Sequence, residues 1–140
     1  MYGMRVKSIM ERKNRLVAPP GTTVAKAAKL MAGKNVGAVM VVEKKQLIGI
    51  FTERDAVFRV IAKGLDVETT TIGDVMTIDP IAVDPDEIFG RALLLMHDNG
   101  FRHVPVVENG EPIGIVSSRI ALDPDMEEFV SETQRRLSLR

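Results

Sequence analysis

The 140 residues include 45% hydrophobic side chains, enough for one compact domain with its own core and too few for two large ones. Nineteen lysines and arginines balance nineteen aspartates and glutamates, and five Phe, one Tyr and no Trp are present, so the basic surplus and aromatic platforms of nucleic-acid binding are missing. The absence of cysteine excludes a disulfide framework, a thiolate zinc site and a cysteine nucleophile, and fits a cytoplasmic protein.

Along the chain, polar residues interrupt the first seven positions before the apolar core of a signal peptide can form, so export is not expected. Thr22 and Thr23 precede Val24, Ala27, Ala28 and Met31 at helical spacing, and Gly33 closes the segment, which predicts an amphipathic helix. Residues 36–43, a turn at Lys44-Lys45 and residues 46–51 predict a β-hairpin. A second helix is predicted from about Glu53 to Lys63, with Ala56, Val57, Val60 and Ile61 buried and Gly64 as its stop. The next helix takes Asp84 as cap, Pro85 as first helical residue, Ile88, Ala92, Leu95 and Met96 as its stripe, and Gly100 past its end. Residues 103–108, the turn pair Asn109-Gly110 and residues 112–116 predict another hairpin. Both hairpins are nearly all apolar, as in sheets covered on both faces. Asp123 and Pro124 begin a C-terminal amphipathic helix, with Met126, Phe129, Val130 and Leu137 on one side and Glu127, Glu128, Glu132, Arg135 and Arg136 on the other. Apolar stretches such as residues 39–42 and 92–96 fall far short of the ~18 to 20 residues that span a bilayer, so no membrane partner is expected.

This order of elements is a repeat. A shift of 65 residues lays 36–55 on 101–120 with eight identities in twenty, among them Val39/Val104, Gly49/Gly114, Ile50/Ile115 and Arg54/Arg119. Ser8-Ile9-Met10 matches Asp74-Val75-Met76 at a shift of 66. The predicted units are residues 1–71 as the first repeat with its linker, 72–122 as the second, and 123–140 as a helical tail. The second copy departs where Pro124 replaces Arg59, which breaks the copied second helix after its first turn at 119–122.

Gly49-Ile50-Phe51-Thr52-Glu53-Arg54-Asp55, Gly114-Ile115-Val116-Ser117-Ser118-Arg119 and Arg102-His103-Val104-Pro105-Val106-Val107 resemble the hallmarks of the CBS domain family, over about residues 6–66 and 72–122. The resemblance implies an α+β fold in which two β-α-β-β-α units pack as a pseudo-twofold CBS pair, or Bateman module, often as a homodimer. It further implies a non-catalytic sensor that binds AMP, ADP, ATP, NAD or S-adenosylmethionine between the copies as a regulatory ligand, requires no cofactor and signals to an effector protein. By that likeness Asp55 takes the ribose hydroxyls, Thr52 the phosphate at the start of the second helix, and Arg102 and His103 reach the phosphates from the opposite copy. A carboxylate can accept two hydroxyl protons, and a guanidinium matches phosphate oxygens. Arg119, aligned with Arg54, adds a further cation, and Leu16, Ala18, Pro19 and Val36 are candidates for an adenine slot.

Each assignment has a structural counterpart. Thr52 and Asp55 have the spacing of a capping box, Arg102 and His103 are also polar residues at a strand start, and Leu16, Ala18, Pro19 and Val36 also suit core packing. The cleft beside Ser117 is expected to be impaired, because Ile120 stands at the position of Asp55 and Gly37-Ala38 at that of Arg102-His103. Catalysis finds no scaffold: His97 and His103 lack zinc-pair spacing, and phosphate-loop, dinucleotide and nucleophile-elbow glycine motifs are absent. His97 reads instead as a cation near a helix end. The competing function is a ligand-free module that dimerises or docks a protein partner.

Overall fold

The computed structural model describes residues 2–12, 15–120 and 135–136. The predicted C-terminal helix with its cap Asp123 lies outside these residues, apart from a helical 135–136.

Two sheets form, each backed by helices. In the first, β1 (Val17–Ala18) pairs in parallel with β2 (Ala38–Glu43), β2 pairs antiparallel with β3 (Gln46–Thr52), and β3 with β4 (Thr77–Ile78). The second is the hairpin of β5 (His103–Glu108) and β6 (Glu111–Ser117). Both hairpins carry a register shift at equivalent places, Val41/Val42 and Val106/Val107. Both turn through left-handed pairs, Lys44 and Lys45 in one and Asn109 and Gly110 in the other, the backbone that a tight hairpin twist requires. Isolated bridges Val83–Val106 and Glu11–Ile115 stand where β1 and β4 flank the first hairpin.

Strand alternation sends Val39, Val41 and Phe51 toward one helical layer, with Leu16, Ala18, Val24, Ala27, Met31 and Val60. Val104, Val106 and Val116 meet Phe89, Ala92 and Met96 in a second core. Ala38, Met40, Ile50 and Ile115 face the other way and pack between the sheets. Strands buried on both faces explain the nearly unbroken apolar runs.

The leading helices are exchanged between repeats. In α1 (Val6–Ile9), Val6 joins the second core with Met10, while Ile72 and Val75 of α4 (Ile72–Val75) join the first. Met76 lies over Gly49, and Met10 lies over Gly114, with its sulfur 2.6 Å from where a Cβ would stand. The matching Ile9-Met10 and Val75-Met76 thus do equivalent jobs on opposite sheets.

Several helix limits differ from expectation. Thr23 caps α2 (Val24–Lys34) by accepting from Lys26 N at 3.2 Å, but the helix runs through Gly33 and ends at Asn35, whose φ of 53° supplies the left-handed stop. Asp84 and Pro85 do not start the next helix. Residues 85 and 87 instead accept backbone bonds from Lys7 and Val6, Asp84 Oδ1 accepts from Asp86 N, and α5 begins beyond them (Phe89–Asn99), with Ile88 exposed outside its stripe. Gly100 does end α5 at φ 70°. The expected helix after β3 begins as α3 (Glu53–Asp55) and continues as a π-helix over Ala56–Ile61. Its wider turn takes positions off the 3.6-residue stripe, so Val60 is buried while Val57 and Ile61, expected inside, are exposed. Among the described residues no helix is long and apolar enough to cross a membrane.

Candidate functional site

The packing of the two sheets leaves two clefts between the repeats. One, of about 580 Å³, joins Thr52, Arg54 and Asp55 from the first repeat to Arg102 and His103 from the second. Its volume is in the range of sites that enclose small molecules, about 300–1,000 Å³. The four residues expected to build a site across the pair therefore share one cavity.

Thr52 closes β3 and caps α3. Thr52 N donates to Asp55 Oδ2 at 2.9 Å, Thr52 Oγ1 to the same oxygen at 3.2 Å, and Asp55 N to Thr52 Oγ1 at 3.3 Å. The capping box is complete, and it holds a largely buried carboxylate, the side chain being 11% exposed. Asp55 Oδ1 remains turned to Arg59 Nε at 3.5 Å. Since an ionised carboxylate offers about four lone-pair sites, the cap leaves Oδ1 able to accept from a ligand. Capping and binding are compatible uses of the same side chain.

Arg54 lies with its guanidinium carbon 4.8 Å from the centre of the Phe58 ring, a cation–π contact at the cleft wall. Arg102 is exposed at the start of β5, and His103 is half-buried beside it. Burial pushes the His103 imidazole below its ordinary pKa of 6.5 and Arg102 pushes the same way, while the Glu53 carboxylate acts against both. A neutral ring that gains a proton when an anion arrives suits a phosphate-facing position.

The expected adenine slot is not assembled. Leu16 and Ala18 are buried in the first core, Pro19 is exposed outside the cleft, and Val36 packs on that core and borders the other cavity. The apolar lining of the Asp55 cleft comes instead from Ile50, Phe58, Pro80, Ile81 and Phe101. Pro80 and Ile81 follow β4, so the exchange of leading segments delivers this wall from the second repeat. Thr77, Asp79 and Arg59 also line the cleft and had no place in the sequence-based site. Arg59 was legible as an acid–base pair four residues beyond Asp55.

The second cavity, of about 680 Å³, is bordered by Ser117, Arg119 and Gly37, and shares Glu53, Arg102 and His103 with the first. Arg119 Nη1 donates to the Asn35 carbonyl at 3.4 Å. Ile120 packs on the second core and supplies no acid. Glu53 sits so close over Gly37 that a Cβ there would lie 2.9–3.1 Å from its carboxylate. In the last turn of α5, exposed His97 faces Asp98 at 3.4 Å and lines neither cleft. Among the described residues no group of His, Asp or Glu could hold a metal ion.

Two exchanged repeats of this kind, with a cleft between them, define a tandem repeat-pair module. A family model described as "CBS domain" matches residues 6–62 and 72–123, and the chain belongs to that family. A CBS pair is itself a non-catalytic module. The CBS domain-containing protein CBSCBSPB3 of Arabidopsis thaliana is 40% identical over 115 residues, 81% of this chain and 21% of that protein. An uncharacterised protein of Methanopyrus kandleri is 32% identical over 139 residues, 95% of this chain and 71% of its own length. The chain thus spans only about a fifth of the Arabidopsis relative. Among solved structures, a conserved protein from Pyrococcus horikoshii superposes with a TM-score of 0.81 at 26% identity, covering 89% of this chain and 94% of that one. A CBS domain protein from Pyrobaculum aerophilum complexed with AMP gives 0.76 at 26% identity, over 84% and 89%. The CBS domain pair of protein MJ0100, in complex with 5′-methylthioadenosine and S-adenosyl-L-methionine, gives 0.77 at 25%, over 86% and 98%.

Proposed function

We propose that the chain is a regulatory module that binds one adenosyl nucleotide of the AMP, ADP, ATP or NAD class in the Asp55 cleft and passes its occupancy to a partner protein in the cytoplasm. The observation that carries this reading is the meeting of Thr52 and Asp55 with Arg102 and His103 in one cavity, contributed by different repeats. Ribose hydroxyls would donate to the Asp55 carboxylate, phosphate would lie toward Arg102 and His103, and the base toward Phe58, Ile81 and Phe101. The AMP complex of the Pyrobaculum relative and the adenosyl complex of MJ0100 support the ligand class. A ligand touching both repeats favours their packed arrangement, and that population shift is the signal. Oligomerisation is in keeping with the family, which includes a hexameric CBS-CP12 protein from cyanobacteria.

A second reading, a ligand-free docking or dimerisation module, is favoured by the completed capping box, which satisfies Thr52 and Asp55 without any ligand. Arg102 separates the two. Its side chain is exposed and makes no hydrogen bond or ion pair among the described residues, so Arg102→Ala leaves the fold intact. A thermal-shift series with AMP, ADP, ATP, NAD, S-adenosylmethionine and adenosine should give a stabilisation of about 2.7 kcal/mol at ~100 times Kd for the cognate ligand. Arg102→Ala should weaken the phosphate-bearing ligands and spare adenosine. No shift with any of them at millimolar concentration leaves the docking reading.

A further inference from the structure

Asp55 Oδ1, the oxygen on which ribose recognition depends, already faces the Arg59 guanidinium at 3.5 Å. The same guanidinium reaches a second element, where Nη1 donates to the carbonyls of Val75 and Met76, each at 3.2 Å. Those acceptors stand at the end of α4, where carbonyls have no intrahelical donor. Directly after them come Thr77 and Asp79, which line the Asp55 cleft from the second-repeat side. One side chain therefore contacts the acid on one wall and the backbone that leads into the other. It does so from a π-helical segment, a backbone form found frequently at functional sites.

We infer that Arg59 is the positioning residue of the Asp55 cleft: it holds the carboxylate by Oδ1 and ties it to the Val75 and Met76 carbonyls, keeping the ribose-reading acid and the second-repeat wall in one geometry. This rests on the adenosyl-nucleotide reading of the cleft. The planar guanidinium serves Nε to the carboxylate and Nη1 to the carbonyls at once, which the point charge of a lysine cannot do. A cleft whose walls are fixed before the ligand arrives loses less on ordering, so Arg59 acts on affinity through the two walls it joins. The pair is lost as a unit in the other repeat, where Ile120 and Pro124 stand at the two positions.

The test is calorimetric titration of the full chain and its Arg59→Met, Arg59→Lys and Asp55→Ala variants with AMP and with 2′-deoxy-AMP. The parent should prefer AMP by about tenfold or more, the size expected for a hydrogen bond to a charged acceptor. Arg59→Met should weaken AMP by about tenfold and bring the AMP to 2′-deoxy-AMP ratio close to one, because the freed carboxylate no longer presents Oδ1 to the ribose. Arg59→Lys should recover AMP affinity only in part. An Arg59→Met variant that keeps the parental ratio overturns the inference, even if its Tm falls, since Arg59 then only caps α4. If the parent binds AMP and Asp55→Ala abolishes binding while Arg59→Met changes nothing, this inference alone fails. If the parent binds neither nucleotide, the ligand reading fails and takes this inference with it.

Discussion

Replacing Asp55 with alanine removes a helix cap and the proposed ribose acceptor together, and the two losses can be measured separately. Thr52 N loses its 2.9 Å acceptor and Thr52 Oγ1 its 3.2 Å partner, at a site where the Asp55 side chain is 11% exposed and water does not readily substitute. A cap of this kind is worth about 0.5–2 kcal/mol, and a buried donor left unsatisfied costs about 1–3. Arg59 keeps its two carbonyl acceptors and adds little to the loss. About 1.5 kcal/mol is therefore expected, a fall in Tm of roughly 3–10 °C for a domain of this size. The ligand increment is a second, independent quantity: about 2.7 kcal/mol for the parent at ~100 times Kd and none for the variant. Asp55→Asn retains one acceptor oxygen for Thr52 but not the charge, so it should recover most of the lost stability and little of the ligand increment. Melts of the three proteins with and without AMP read both. An alanine variant with parental Tm refutes the capping magnitude, and one with a parental ligand increment refutes the binding role.

The remaining predictions concern packing and pH. Gly49→Ala drives a methyl into Met76 and to 3.0 Å from the Thr77 carbonyl, and Gly114→Ala does the same against Met10, with the Glu11 carbonyl at 3.2 Å; each should cost about 1–3 kcal/mol as a shift in urea midpoint at constant slope, and parental stability in both would refute the close-packing account. The folded pKa of His103 lies below the unfolded value of 6.5, so the unfolded chain binds more protons in the window just below 6.5. Stability from this group is therefore present above 6.5 and declines as pH falls through the folded value, and His103→Gln should lessen that decline in urea titrations at pH 5 to 7.5; an unchanged profile would count against it. Phosphate in the cleft should draw the His103 pKa upward, so AMP should raise the midpoint of the His103 ring titration followed by NMR and adenosine should not.

Periodicity and internal repetition made most of the fold legible. The hairpins, their left-handed turns and the Gly100 stop follow from local chemistry that one stretch of chain contains. The failures are where distant backbone intervenes. Asp84 and Pro85 carry a good helix-start pattern, yet Val6 and Lys7 claim the carbonyls of 87 and 85, so the start moves to Phe89. Val57 and Ile61 fit a 3.6-residue stripe that the π-helix does not follow. Thr52, Asp55, Arg102 and His103, which line one cleft, were named through the resemblance of their motifs to the CBS family. The apolar wall was not, because nothing local reveals that leading segments cross to the opposite repeat, which brings Pro80 and Ile81, and not Leu16 and Ala18, to the Asp55 cleft.

On the proposed function, duplication does not yield two equal sites. Each cleft draws its acid from the turn after one repeat's glycine-led strand and its cations from the strand start of the other. In the first cleft these are Asp55 and Arg102-His103; in the second they become Ile120 and Gly37-Ala38. The loss at Gly37 is more than a missing charge, because only a residue without a side chain lets the Glu53 carboxylate settle against the backbone there. Glu53, which lines both clefts, thus lies over Gly37, the position that corresponds to Arg102 in the other repeat. Arg102 and His103 stand between the cavities and line both, with Glu53 beside them. On the proposed function, a phosphate bound beside Asp55 engages these two cations and leaves Arg119, bonded to the Asn35 carbonyl, as the remaining cation of the other lining against Glu11 and Glu53. An anion there would then face repulsion inside a cavity partly shielded from solvent, where charge is felt more strongly than in water. Titration should accordingly give one nucleotide per chain, and Glu53→Gln should be the substitution that most readily admits a second.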